Sequence, residues 1–132
     1  MMVYYRKRQK RSIVMTIQFF HYPKCTTCKK AQKWLNEHEV SYEEVHIAEQ
    51  PPTKEELTAI WQASGQALKK FFNTSGMKYR ELGLKDKLAE MTEDEQLELL
   101  ASDGMLIKRP IVTDGKKVTL GFKEVDFEQA WK

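Results

Sequence analysis

The only two cysteines in this chain of 132 residues, Cys25 and Cys28, sit in one stretch, His21-Tyr22-Pro23-Lys24-Cys25-Thr26-Thr27-Cys28-Lys29-Lys30. Their flanks constrain the local fold. Upstream, Ile17-Gln18-Phe19-Phe20 is an apolar run suited to a strand, and downstream Ala31, Trp34, Leu35 and His38 recur at helical spacing. The pair is therefore expected at a strand-to-helix turn. The first N–H groups of a helix lack intrahelical acceptors, and their partial positive charge favours a thiolate over a thiol. On that ground Cys25 is expected to be the acidic, reactive sulfur, and Cys28, one turn further in, the resolving thiol. Lys29 and Lys30 add positive charge nearby, and Pro23 stiffens the approach. His21 is placed either to hydrogen-bond or protonate the thiolate, or simply to end the strand.

A chain of this length is expected to form one domain with a sizeable core. With 41% hydrophobic and 31% charged residues it reads as globular. No apolar run approaches the roughly 20 residues of a membrane helix. Residues 1–15 are basic but lack the apolar stretch of a secretory signal, so a cytoplasmic location is expected. In that compartment two close cysteines are more often catalytic or metal-binding than structural. Arg6, Lys7, Arg8, Lys10 and Arg11 lie in residues 1–15 with no acid among them, so the net charge of +3 leaves −2 for the rest. The body thus gives no electrostatic reason to expect nucleic acid as a partner. Residues 1–15 are expected to be a disordered extension, the alternative being a basic arm, with the folded domain spanning 16–132.

Along the chain, Val40–His46 reads as a second strand, and a helix between two strands implies a parallel, right-handed βαβ unit. After Pro51-Pro52, Thr53 with Glu56 forms a capping box that opens a helix through Leu57, Ile60 and Trp61 to Gly65. Leu68, Phe71 and Phe72 suggest a short helical turn, residues 73–77 a loop, and Tyr79, Leu82 and Leu84 a further helical patch. A second capping box, Thr92 with Glu95, opens a helix that Ser102-Asp103-Gly104 stops. Sheet is expected to resume in the last third: Ile111-Val112-Thr113 and Val118-Thr119-Leu120 flank a turn containing Asp114-Gly115, which is a hairpin signal. A closing helix carries Phe127, Ala130 and Trp131 on one face. This order fits a mixed α/β sheet with helices on both sides.

Cys-x-x-Cys between a strand and a helix reads as a thioredoxin-like redox motif, and zinc is its rival. Structural zinc wants four ligands, and only His21, His38 and His46 stand beside the cysteines, so no metal is expected. His38 is expected to be a partly buried packing residue, and His46 to end a strand. The aromatics Trp34, Trp61, Phe71, Phe72 and Trp131 are expected in the core. At Lys108-Arg109-Pro110 two readings stand: Pro110 starts a strand where a missing N–H does no harm, or a cis turn faces the cysteines and Arg109 offers its fork to an anion or thiolate.

Several motifs together carry a resemblance: His21 to Cys28 after a strand, Glu49-Gln50-Pro51-Pro52, Phe71-Phe72-Asn73-Thr74, Tyr79-Arg80-Glu81-Leu82-Gly83-Leu84 and Lys108-Arg109-Pro110-Ile111-Val112. Over about Thr16 to Trp131 the chain resembles the ArsC/Spx family. The resemblance implies a thioredoxin-like α/β fold, a mixed four-stranded sheet with flanking helices and a helical insertion, and a cis Pro110 beside the cysteine loop. It further implies one of two roles. Glutaredoxin-dependent arsenate reductases use a cysteine matched by Cys25, a histidine matched by His21 and three arginines that hold the oxyanion. Of these arginines only Arg109 has a counterpart here; the others fall on Asn73 and Gly121, and Cys28 replaces a serine. Spx-like regulators use Cys-x-x-Cys as a disulfide switch and bind the RNA polymerase α subunit. The leading expectation is a monomeric thiol–disulfide oxidoreductase with Cys25 attacking, Cys28 resolving, Arg109 positioning an anionic substrate and His21 tuning Cys25. No bound cofactor is expected, and the substrate is a small thiol, an oxyanion or a redox protein. Electrons come from a low-molecular-weight thiol or from thioredoxin or glutaredoxin.

Overall fold

A computed structural model describes residues 16–132, and the expected basic extension over 1–15 lies outside the described residues. In chain order the elements are β1 (Gln18–His21), α1 (Thr26–Glu37), β2 (Glu43–His46), α2 (Lys54–Ser64), α3 (Met77–Glu81), α4 (Leu84–Lys87), α5 (Glu93–Ser102), β3 (Ile111–Thr113), β4 (Val118–Leu120) and α6 (Glu124–Trp131). Short 3-10 turns at Leu68–Phe71, Leu88–Glu90 and Gly104–Leu106 join the helices of the middle block. The sheet runs β2-β1-β3-β4; β1 pairs in parallel with β2 and antiparallel with β3, and β3 pairs antiparallel with β4. The architecture is the expected mixed four-stranded sheet with flanking helices and a helical insertion.

Because strand side chains alternate between faces, β1 sends Phe19 to one side and Phe20 to the other, and β3 divides Val112 and Ile111 in the same way. Helices α1 and α6 cover the first face, where Phe19 and Val112 meet Ala31, Trp34, Leu35, Phe127 and Trp131. The insertion covers the second, and Phe20 and Ile111 meet Leu57, Phe71, Phe72, Leu97 and Leu100. Phe71 is fully buried, and truncating such a side chain to alanine costs about 3–5 kcal/mol. Trp61 is half-buried rather than sealed in the core, because its indole N–H reaches out to the Gln66 carbonyl at 3.0 Å.

Both capping boxes form, with the Thr53 and Thr92 hydroxyls accepting from the Glu56 and Glu95 N–H groups. At the hairpin, the Asp114 carboxylate accepts from the N–H groups of Lys116 and Lys117 at 2.9 and 2.8 Å. Strand β2 is shorter than the sequence suggests. Glu39 adopts φ 57° and the Val40 N–H donates to the Leu35 carbonyl at 3.0 Å, so this backbone closes α1 and cannot pair with β1. His38 is exposed rather than packed inside; it stacks on Trp34 with centroids 3.9 Å apart, and its Nδ1 lies 2.9 Å from the Trp34 carbonyl at the helix end. Gly104-Met105-Leu106 forms a 3-10 turn, and Ile107 after it makes a single bridge to Phe72. Among the described residues no helix is long and apolar enough to cross a membrane.

Candidate redox site

The link from β1 to α1 is short, and it makes Cys25 the N-cap of α1, with φ −89° and ψ 118°. Its N–H donates to the Tyr22 carbonyl at 2.9 Å, while its Sγ accepts from the Cys28 N–H at 3.3 Å. A cap is normally an oxygen; here the acceptor is sulfur, and a thiolate accepts far better than a thiol. Cys28 lies on the inner face of α1 with 1% of its surface exposed, and Cys25 is half-buried. Both are free thiols.

The environments push the two sulfurs apart. Burial alone would raise the Cys25 pKa, but donation from the Cys28 thiol and N–H, together with the charge and donors of Arg109, outweighs it and leaves Cys25 more acidic than an ordinary thiol. Cys28 moves the other way, pushed up to about 12 by burial and by its neighbour Cys25. The setting of Cys25 thus favours its thiolate relative to an ordinary thiol, and that of Cys28 favours the protonated form.

Arg109 approaches this pair from the start of β3, the strand beside β1. The Arg109–Pro110 peptide bond is cis, as the family resemblance implies, and Pro110 is buried. Three backbone bonds hold this segment: Lys108 N–H to the Phe71 carbonyl (2.7 Å), Asn73 N–H to the Leu106 carbonyl (2.8 Å), and Gly121 N–H to the Pro110 carbonyl (2.8 Å). The Arg109 guanidinium carbon sits 5.2 Å from the centroid of the Tyr22 ring. Its Nε and Nη1 are buried without a hydrogen-bond partner. Arg109 also lines a cavity of about 560 Å³ with Asn73, Met77, Lys78, Glu81 and Met105. A half-buried cation with two unused donors at a cavity wall is suited to receive an anionic group.

His21 is placed differently. Its Nε2 lies 3.0 Å from a Glu44 carboxylate oxygen on β2, and its ring stacks on Phe19 with centroids 4.5 Å apart. Burial lowers its pKa, the Glu44 carboxylate raises it in part, and His46 lowers it further. Among the described residues no hydrogen bond joins His21 to either cysteine. The structure therefore gathers Cys25, Cys28, Arg109 and Pro110, and turns His21 towards β2. Sequence reasoning missed Tyr22 as the platform under Arg109, and it missed Glu44. Tyr22 stands inside the cysteine motif and could have been suspected, whereas Glu44 is found only through the register that pairs His21 with His46 and Phe19 with Glu44. Among the described residues, no three His, Cys, Asp or Glu side chains cluster as a metal site requires.

Residues 20–130 match the ArsC family. The uncharacterized protein YusI of Bacillus subtilis is 69% identical over 117 residues, which is 89% of this chain and 99% of YusI. The regulatory protein MgsR of the same organism is 35% identical over 80% of this chain and 82% of its own. The global transcriptional regulator Spx of Streptococcus agalactiae is 33% identical over 82% of this chain and 77% of its own. Among solved structures, an ArsC family related protein of Bacteroides fragilis superposes with a TM-score of 0.85 at 48% identity, over 89% of this chain and 98% of that one. A possible arsenate reductase of Streptococcus mutans superposes with a TM-score of 0.80 at 43% identity, over 86% of this chain and 98% of that one.

Proposed function

The chain belongs to the ArsC family, and on that premise we propose that it is a thiol–disulfide oxidoreductase working through Cys25 and Cys28. The Cys25 thiolate attacks one sulfur of an oxidised substrate, a mixed disulfide forms, and the first thiolate departs and takes up a proton. Cys28 then gives up its proton and attacks the Cys25 sulfur, releasing the second thiol. The substrate has gained two electrons and the protein holds a Cys25–Cys28 disulfide. A low-molecular-weight thiol, or a protein of the thioredoxin or glutaredoxin type, returns the pair to the reduced state.

The observation that carries this reading is the opposite setting of two adjacent sulfurs, Cys25 at the N-cap of α1 accepting from the Cys28 N–H and Cys28 buried behind it. Arg109 orients an anionic group of the substrate through its unused donors. His21, tied to Glu44, acts as a positioning residue for the end of β1. A tetrahedral oxyanion such as arsenate wants several fixed cations. The cavity wall presents Asn73 beside the single guanidinium, the charge of its one lysine, Lys78, is offset by Glu81 on the same wall, and the backbone at Gly121 spends its N–H on Pro110, so a disulfide matches the site better than arsenate does.

A second reading has support of a different kind. MgsR and Spx are named as regulators, and the chain shares with the Spx type a Cys-x-x-Cys that can switch by disulfide formation. In that role the oxidised protein docks on the RNA polymerase α subunit. Turnover of a glutathione mixed disulfide, abolished by Cys25→Ser, supports the enzyme. Absence of turnover with every thiol donor, together with oxidation-dependent co-purification with RNA polymerase, would overturn it in favour of the regulator.

A further inference from the structure

A second concavity of about 900 Å³ opens beneath the insertion. It shares no lining residue with the cavity at Arg109, although the two meet across one strip of chain: Phe72 and Thr74 face the larger, Asn73 and Ser75 the smaller. Five lysines line it, drawn from four separate places in the fold: Lys69 and Lys70 in the 3-10 turn before Phe72, Lys85 on α4, Lys108 before the cis proline, and Lys123 at the start of α6. Asp126 is the only acid on the wall. None of the five lysines belongs to an ion pair found among the described residues. Residues 16–132 carry a net −2, so this concentration of positive charge runs against the balance of the body.

The hollow is not purely polar. Phe72, Leu88 and Met91 supply apolar wall, and Tyr79 stands beside Phe72 with ring centroids 6.3 Å apart. Gln96 on α5 completes the lining. Its Nε2 donates to the Leu88 and Met91 carbonyls, each at 3.3 Å, which fixes the amide, while its Oε1 is buried and receives no donor. A buried acceptor left open in a native fold calls for a partner.

We propose that this cleft binds a nucleoside polyphosphate, independently of the redox reading. The lysines receive the phosphates, the apolar wall and Tyr79 receive the base, and Gln96 Oε1 accepts from a base or ribose donor. An acidic peptide or a nucleic-acid strand would use charge laid along an open face. Here the five lysines, all exposed, converge from four parts of the fold on one open hollow whose size falls in the range of roughly 300–1,000 Å³ typical of small-ligand pockets.

The test is calorimetric titration of the full chain with ATP and with GTP at low ionic strength, compared with inorganic triphosphate and an octaglutamate peptide. Saturable one-to-one binding of a nucleotide is expected, tighter than that of inorganic triphosphate. The paired substitution Lys69→Glu with Lys70→Glu, and separately Lys123→Glu, should weaken it by about tenfold or more. Lys33→Glu with Lys116→Glu, on exposed surface elsewhere, should leave it unchanged, and Gln96→Leu should weaken the nucleotide but not the triphosphate. Three results would overturn the proposal: no saturable nucleotide binding up to about 1 mM, equal loss in the Lys33/Lys116 control, or triphosphate or peptide binding as tightly as the nucleotide.

Discussion

Replacing Arg109 by methionine separates what this residue does for the fold from what it does for Cys25. In the folded protein its Nε and Nη1 are buried without partners, and an unmet buried polar group costs about 1–3 kcal/mol, more when charged. Against this, its position 5.2 Å from the Tyr22 ring centroid returns about 0.5–2 kcal/mol. Methionine keeps most of the aliphatic volume, so little cavity is created. The balance predicts a variant between about 1 kcal/mol less stable and about 2.5 kcal/mol more stable, from a fall in Tm of roughly 4 °C to a rise of roughly 10 °C for a domain of this size. At the same time the thiolate loses one of its stabilising causes, so the Cys25 pKa rises and its alkylation at neutral pH slows. Thermal unfolding and the pH dependence of iodoacetamide labelling, followed by mass spectrometry, measure the two effects on one sample. A fall in Tm of more than about 4 °C, or an unchanged labelling profile, would refute this account of Arg109 as a residue held for function at some cost to the fold.

Cys28→Ala removes the thiol that donates to Cys25, so Cys25 should become less acidic, and the protein should accumulate as a mixed disulfide because nothing resolves it; stability falls by about 1 kcal/mol for the small buried void. For His21, burial holds the folded pKa below its ordinary value, so the unfolded chain binds more protons as pH falls through about 6.5. This group's contribution to stability is therefore complete above that value and declines on acidification towards the folded pKa. Glu44→Gln removes the carboxylate that props the pKa up, and should steepen the decline; urea midpoints that drop equally in both proteins between about pH 7.5 and pH 5 would contradict it. At Gly104 an added Cβ would collide with the Ile47 carbonyl at the end of β2, so Gly104→Ala should cost at least about 2 kcal/mol, visible as a lower denaturant midpoint.

What the sequence made legible was local. The dithiol at a strand-to-helix turn, the two capping boxes and the Asp114-Gly115 hairpin depend on residues within a few positions of each other, and each formed as its chemistry requires. Strand β2 was harder, because Val40 has the composition of a strand while its N–H is taken by the Leu35 carbonyl at the end of α1. The pairing of His21 with Glu44 depends on the register of two parallel strands joined through a helix, and short, largely exposed β2 carries no alternation that would reveal it. The approach of Arg109 to Cys25 spans more than 80 residues of chain, so no spacing rule reaches it; the family resemblance supplied the cis proline, and the platform of Tyr22 emerged only in three dimensions.

The account rests on two sulfurs of opposite character, and the rate of alkylation of each against pH measures that directly. Cys25 should label rapidly at neutral pH, with a midpoint below that of an ordinary thiol, while Cys28 in the same reduced, folded sample stays unlabelled until strongly alkaline pH or until denaturant is added. Equal labelling of the two cysteines in the folded protein, or a Cys25 midpoint at or above the free-thiol value of about 8.5, would contradict it.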